Sequence, residues 1–248
     1  MNELGANRAL MRSNFPDLEK IQSDQKLGRP QPPLQKPVPP EAEVIQLPGG
    51  EAAVLAERDM YTCMKRRRSR RSWKPEPLRL AELSFLLWAT QGVQRIFGRN
   101  YSTFRPVPSG GARHPFETYL AVSRVDGLPP GLYRYVPLTH ALCFLGVPTG
   151  LPERLREASL GQEFVGAAPV TFIWTCIPYR GEWRYHVAAH KIMLMDAGHL
   201  CQNLYLACEA IGAGTCAVAA YDQYLMDRLV DVDGDDEFVV YMAPVGKV

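Results

Sequence analysis

Residues 65–71 read Lys-Arg-Arg-Arg-Ser-Arg-Arg, six cations around one serine. Guanidinium groups offer paired donors to phosphate oxygens and a serine hydroxyl adds a third direction, so Arg67, Arg68, Ser69 and Arg71 have the parts of a phosphate site. Alone, such a run also suits a solvated helix face or a nucleic-acid contact. A second stretch, Pro108-Ser109-Gly110-Gly111-Ala112-Arg113-His114-Pro115, precedes an apolar segment. Adjacent glycines expose backbone N–H groups and let a flat ring or phosphate approach closely, although an isolated Ser-Gly-Gly is equally an ordinary tight turn. His186 and His190 have the i, i+4 spacing of a zinc pair but lack the intervening glutamate of a metalloprotease. The acidic stretch 231–237 has its glycine in the wrong place for a calcium loop, so no metal is expected.

The elements that must position these residues follow from the apolar pattern. A helical stretch from Glu51 leads through Ala52, Leu55 and Met60 into the arginines, and a second follows Pro77 until Gly92 ends it. Strands are predicted over 117–123 and 170–177, a hairpin over 131–136 and 141–146, and a last strand over 238–243. The segment 187–211 is apolar on nearly every side with Gly198 in its middle, which predicts a long buried helix packed against another, plausibly that of a second subunit. A short amphipathic helix is expected near 224–230. Helices and strands alternate irregularly, so the class is α+β.

The chain has 248 residues, 46% hydrophobic and 22% charged, with a net charge of +2, enough for one sizeable core. The basic run is therefore local, and with no interleaved aromatics or recognised module beside it, a nucleic-acid partner is not expected. Six cysteines without a C-x-x-C pair read as buried thiols. No run of about 18 apolar residues and no signal-peptide core occurs, so a cytoplasmic, membrane-free protein is expected. Six of the eleven residues 30–40 are proline, which makes residues 1–50 an extended arm and 51–248 the domain, the arm either docked or free.

Three blocks in order resemble the FMN-dependent nitroreductase superfamily and, within it, the SagB- or ThcOx-type dehydrogenases. They are Arg67 to Arg71 before Trp73-Lys74-Pro75-Glu76-Pro77, then PSGGARHPFETYLAV, then DAGHLCQNLYLACEAIGAGTCAVAAYD from Asp196 to Asp222. The resemblance implies a nitroreductase-like fold, with a central, mostly antiparallel sheet flanked by helices and the long helix at a dimer interface. It implies that Arg67, Arg68, Ser69 and Arg71 hold the FMN phosphate and ribityl chain. Pro108, Ser109, Gly110, Gly111 and His114 would lie at the ring, although the family commonly has asparagine and glutamine where this chain has Ala112 and His114. Gly214, with the backbone N–H groups of Ala219 and Ala220, would approach flavin N5, and Lys247 would complete the phosphate pocket. A homodimer with two FMN sites is implied, carrying hydride at N5.

Azoline-oxidising members of the branch have a lysine-tyrosine pair as candidate acid and base, where this chain has Arg184-Tyr185. Arg184 stays protonated and can orient a carbonyl or anion but cannot act as a base, whereas Tyr185 can donate or accept a proton. The expected activity is NAD(P)H-dependent reduction of a nitro compound, quinone or similar small molecule. Dehydrogenation of a peptide azoline or another metabolite is the alternative, and a flavin-free relative that sequesters a ligand is a further one.

Overall fold

Residues 8–13, 15–99 and 101–248 are described by the computed structural model of the chain. Seven strands build its main sheet: β1 Val44–Gln46, β2 Phe116–Val122, β3 Gly131–Val136, β4 Ala141–Gly146, β5 Val170–Cys176, β6 Ala213–Thr215 and β7 Phe238–Lys247. Their order is β1-β4-β3-β2-β5-β7-β6 and every pairing within it is antiparallel. The central strand β5, Val-Thr-Phe-Ile-Trp-Thr-Cys, is β-branched and aromatic and buried throughout, because both faces of the sheet are covered.

Alternation along the strands feeds two cores. Phe172 and Trp174 of β5 join Leu120 of β2 under α2 (Leu80–Gln91) and α5 (Ala189–Ala210), which pack together on one face. Ile173 and Tyr119 point to the other face, under α3 (Leu151–Ala158) and α6 (Gln223–Val230). The predicted strands and both later helices are present, and β7 runs four residues beyond its predicted end at Ala243. The α+β class and the antiparallel sheet flanked by helices are as expected.

One expectation fails locally, and a second is met only in part within one chain. The helix from Glu51 is only a 3-10 turn, Gly50–Ala52, followed by coil, and α1 is confined to Met60–Arg66. Asp59 caps it through Thr62 N–H at 2.9 Å, while Ala56 and Glu57 give their N–H groups to the Ala210 carbonyl and so cannot enter a helix ladder. The second concerns α5, which is not enclosed on every side: Leu194 and Met195 are 56% and 50% exposed and nothing lies within 4 Å of the Cβ position of Gly198. In one chain the helix buries a face formed by Met193, Ala197, Leu200, Leu204 and Cys208, and leaves Leu194, Met195 and Gly198 bare beside the polar His199 and Gln202.

The proline-rich arm is docked. Lys36 donates its backbone N–H to Glu117 Oε1 at 2.7 Å and its ammonium to Tyr119 Oη at 3.0 Å and Glu237 Oε2 at 2.5 Å, and Arg134 takes the Lys36 and Pro37 carbonyls. Proline-rich backbone has few donors of its own, so these side chains supply what the arm cannot. Its last residues, Val44–Gln46, form the edge strand β1 on β4.

Candidate active site

The basic run changes conformation where it matters. Lys65 and Arg66 finish α1 on its exposed surface, and from Arg67, with φ −49° and ψ 123°, the chain is extended. Extension turns alternate side chains to one side. Arg67 stacks on Tyr205 at 5.1 Å, Ser69 Oγ meets Tyr205 Oη at 2.9 Å, and Ser69 bridges Thr215 of β6. The Tyr205 hydroxyl also accepts the Ala217 N–H at 2.8 Å, so one buried tyrosine of α5 gathers the first and third sequence blocks. Arg71 lies 5.8 Å from the Phe164 ring, and Arg68 is exposed.

Arg70, which the sequence reading passed over, crosses the face of Gly214: a Cβ there would stand 2.4 Å from Arg70 Cγ. Its Nε is buried without a hydrogen-bond partner. Among the described residues none of Arg67, Arg68, Arg70 and Arg71 has a carboxylate within ion-pair distance, whereas Arg66 pairs with Glu57. Four guanidinium groups without a carboxylate partner in five residues give this segment a locally positive field that suits an anion. Lys247 does not add to it, since its ammonium is held by Glu82 Oε1 at 2.6 Å and the Ile211 carbonyl at 2.9 Å. Ala219 and Ala220 follow in an exposed loop, where Gln162 Nε2 donates to the Ala220 carbonyl at 2.8 Å.

The Ser-Gly-Gly loop lies elsewhere. Gly111 adopts φ 59°, the left-handed region that favours glycine, and a Cβ there would fall 2.5 Å from Tyr185 Oη. Tyr185 and Arg184 end α4 (Tyr179–Tyr185) directly over the loop, and Pro108 before it is exposed. Arg184 Nη1 donates to Tyr101 Oη at 3.0 Å, and Arg113 stacks between Tyr101 and Trp183 at 4.8 and 5.5 Å. Gln25 and Phe15 of the arm close over this group, through Tyr101 Oη at 2.9 Å and the Tyr185 ring at 6.0 Å. Tyr101 and the arm contacts join residues far apart in sequence, and no motif marks them.

His114 turns inward rather than toward the loop's open side. Its Nε2 lies 3.1 Å from the Thr103 carbonyl, and burial together with the nearby Arg105 charge pulls its pKa down to about 3. The unfolded chain therefore binds a proton near pH 6.5 that the folded chain refuses until about pH 3, and stability falls as pH falls through that window. We expect a slope of up to about 1.4 kcal/mol per pH unit from this residue. Urea unfolding between pH 7 and pH 4 checks it: His114→Gln should flatten the acid limb, and an unchanged limb would refute the assignment.

Helix α5 separates the two groups. Asp196, which accepts the Ser109 hydroxyl and the Gly110 N–H, and Tyr205, which meets Ser69, are nine residues apart. That is about two and a half turns and roughly 13 Å of rise, so they project from opposite flanks of the helix. Asn203, on the Asp196 flank, donates to the Ala89 carbonyl of α2 at 2.9 Å, whereas Tyr205 lies on the side of β6. Within one chain the two groups of residues therefore lie on opposite flanks of α5.

Residues 64–247 match the nitroreductase family, three quarters of the chain. This chain is a member of the nitroreductase family. A Methanocaldococcus jannaschii protein whose name places it among the nitroreductases is 32% identical over 203 residues, 82% of this chain and 96% of its own. The Rhizobium leguminosarum trifolitoxin-processing protein TfxB is 29% identical over 133 residues, covering 52% of this chain and 36% of TfxB. The Escherichia coli microcin B17-processing protein McbC is 27% identical over 138 residues, 53% of this chain and 50% of its own. The solved McbBCD complex with truncated pro-MccB17 superposes with a TM-score of 0.61 at 20% identity, over 95% of this chain and 91% of the other. A Ralstonia eutropha protein described as a nitroreductase gives 0.66 at 25% identity, covering 88% and 98%. The family is as the three blocks implied, and the chain is an oxidoreductase of that family. No helix among the described residues is long and apolar enough to cross a membrane.

Proposed function

We propose that this nitroreductase-family protein is an FMN-dependent oxidoreductase that works as a homodimer, taking electrons from NAD(P)H and passing them to a nitro compound, quinone or similar acceptor. One observation carries the reading: two groups of residues on opposite flanks of α5 beside the bare Leu194, Met195 and Gly198. A second copy packed two-fold on that surface covers Leu194 and Met195, and sets the Ser69 wall of one copy against the Gly111 wall of the other. The residues fit FMN by their chemistry. Unpaired Arg67, Arg70 and Arg71 with the Ser69 hydroxyl suit a phosphate, and the exposed loop at Ala219 and Ala220, with its small side chains, suits the edge of a flat ring.

When bound, FMN supplies reversible two-electron chemistry. The protein does the rest. Arg67 and Ser69 anchor the phosphate, with Arg68 adding to the positive field, and the backbone of Pro108 to Gly111 sets the ring's position. Arg184, fixed by Tyr101, orients the polar group of the acceptor. Tyr185 holds or moves a proton at its hydroxyl, with the Phe15 ring packed 6.0 Å from its own. In this assignment the His114 imidazole supports the loop from within and Lys247 serves the fold.

The test is oxidation of NADH and NADPH with a nitroaromatic and with a quinone. Tyr185→Phe should lower acceptor turnover about a hundredfold while FMN content is kept, the usual loss for a missing general acid or base. Unchanged turnover would remove Tyr185 from the chemistry. The likeness to the two processing proteins favours a second reading, oxidation of an azoline in a peptide, and conversion of such a peptide to its azole, with no nicotinamide consumed, would replace the first.

A further inference from the structure

The Ser109 hydroxyl has no donor left for a ligand. It gives its proton to Asp196 Oδ2 at 2.6 Å and accepts the His114 N–H at 2.9 Å. The Gly110 N–H also turns to the Asp196 carboxylate, at 3.2 and 3.3 Å from its two oxygens. Asp196 is 5% exposed, and beyond these donors His199 Nδ1 lies 4.0 Å from its Oδ1. Burial raises its pKa, and the Ser109 and Gly110 donors oppose that. A carboxylate is accordingly placed where two donors converge, in surroundings where each such bond is strong.

We infer that Asp196 is the positioning residue of the cofactor loop, its buried carboxylate fixing Ser109 and Gly110 so that Gly111 is held in its left-handed conformation under Tyr185. The inference rests on the FMN reading above and extends it. Gly111 has little conformational restraint of its own, so without the clamp the loop samples other shapes and binding must pay that ordering. Asparagine keeps an acceptor at the Oδ2 position but loses the charge and sets its amide NH2 against the Gly110 N–H that Oδ1 accepts, so its clamp is weaker. Glutamate keeps the acceptor but sets it one methylene away.

FMN titration of the apoprotein, followed by quenching of flavin fluorescence, tests this with thermal melts alongside. Asp196→Asn should weaken FMN binding about tenfold or more in protein that is still folded. Asp196→Glu should recover part of the loss. Ser109→Ala should weaken binding less, and the Ser109→Ala/Asp196→Asn double variant should fall short of the product of the two single effects, because both act through one clamp. Folded Asp196→Asn with wild-type affinity overturns the inference. If Asp196→Asn does not fold, folded Ser109→Ala with wild-type affinity overturns it. Wild-type protein that takes up no FMN removes the cofactor reading itself, a different result from wild-type uptake matched by the variants.

Discussion

Alanine at both Arg67 and Ser69 is expected to weaken FMN binding between about a hundredfold and ten-thousandfold while leaving the melting temperature nearly unchanged. In the proposed function each is a contact to an ionised phosphate, worth roughly 1.5–3 kcal/mol, and the double variant removes two. The fold has little stake in them. Ser69 is exposed and its hydroxyl meets only Tyr205, whose own hydroxyl keeps the Ala217 N–H, and Arg67 stacks on the same ring without an ion pair. Equilibrium dialysis against FMN checks the affinity and calorimetry the stability. Arg68→Ala, from the exposed neighbour, should cost much less; an equal loss would mean that the run acts as a diffuse charge and not through Tyr205.

The second large effect is on stability. Glu117→Gln is expected to destabilise the protein by about 3–5 kcal/mol, because it leaves buried cations without their counter-charge. Glu117 is 2% exposed and lies between Arg180 Nη2 at 2.5 Å and Arg134 Nη1 at 3.4 Å, side chains that are 4% and 3% exposed. Burial pushes its pKa up, and the two guanidinium groups with the Lys36 N–H pull it below the usual carboxylate value, so the charge is present in the folded protein. For a chain of this size the loss corresponds to a fall in melting temperature of roughly 10 °C. The same variant should free the arm at Lys36, visible as faster proteolysis within residues 30–40. A melting temperature within about 2 °C of wild type would show that Arg134 and Arg180 do not depend on Glu117.

The sheet was legible in the sequence because its strands are bounded and strongly apolar. The Val170–Cys176 strand and the 131–146 hairpin needed only periodicity and turn residues. The long helix was legible as an element but not in its burial: Leu194 and Met195 read as core, and only the folded chain shows that they face outward. The coil before Asp59 was missed because the Ala210 carbonyl that claims the Ala56 and Glu57 N–H groups lies more than 150 residues away in the chain. At the candidate site, residue types marked the ends, but the geometry lay in long-range partners such as Tyr205 for Ser69, Asp196 for Ser109 and Tyr101 for Arg184. His114 shows the limit of a motif position, since its positive φ turns the ring into the core.

Subunit mixing tests most directly whether each FMN is held between two copies. One preparation carries Arg67→Ala/Ser69→Ala and the other Gly111→Val, which puts a branched side chain where Tyr185 already stands. Each alone should bind almost no FMN. After dissociation and reassociation together, half of the dimers are mixed and each has one intact site, so FMN should return to about a quarter of the total sites. No recovery from a mixture shown to have exchanged subunits would place both walls of the site within one chain and contradict the arrangement across α5.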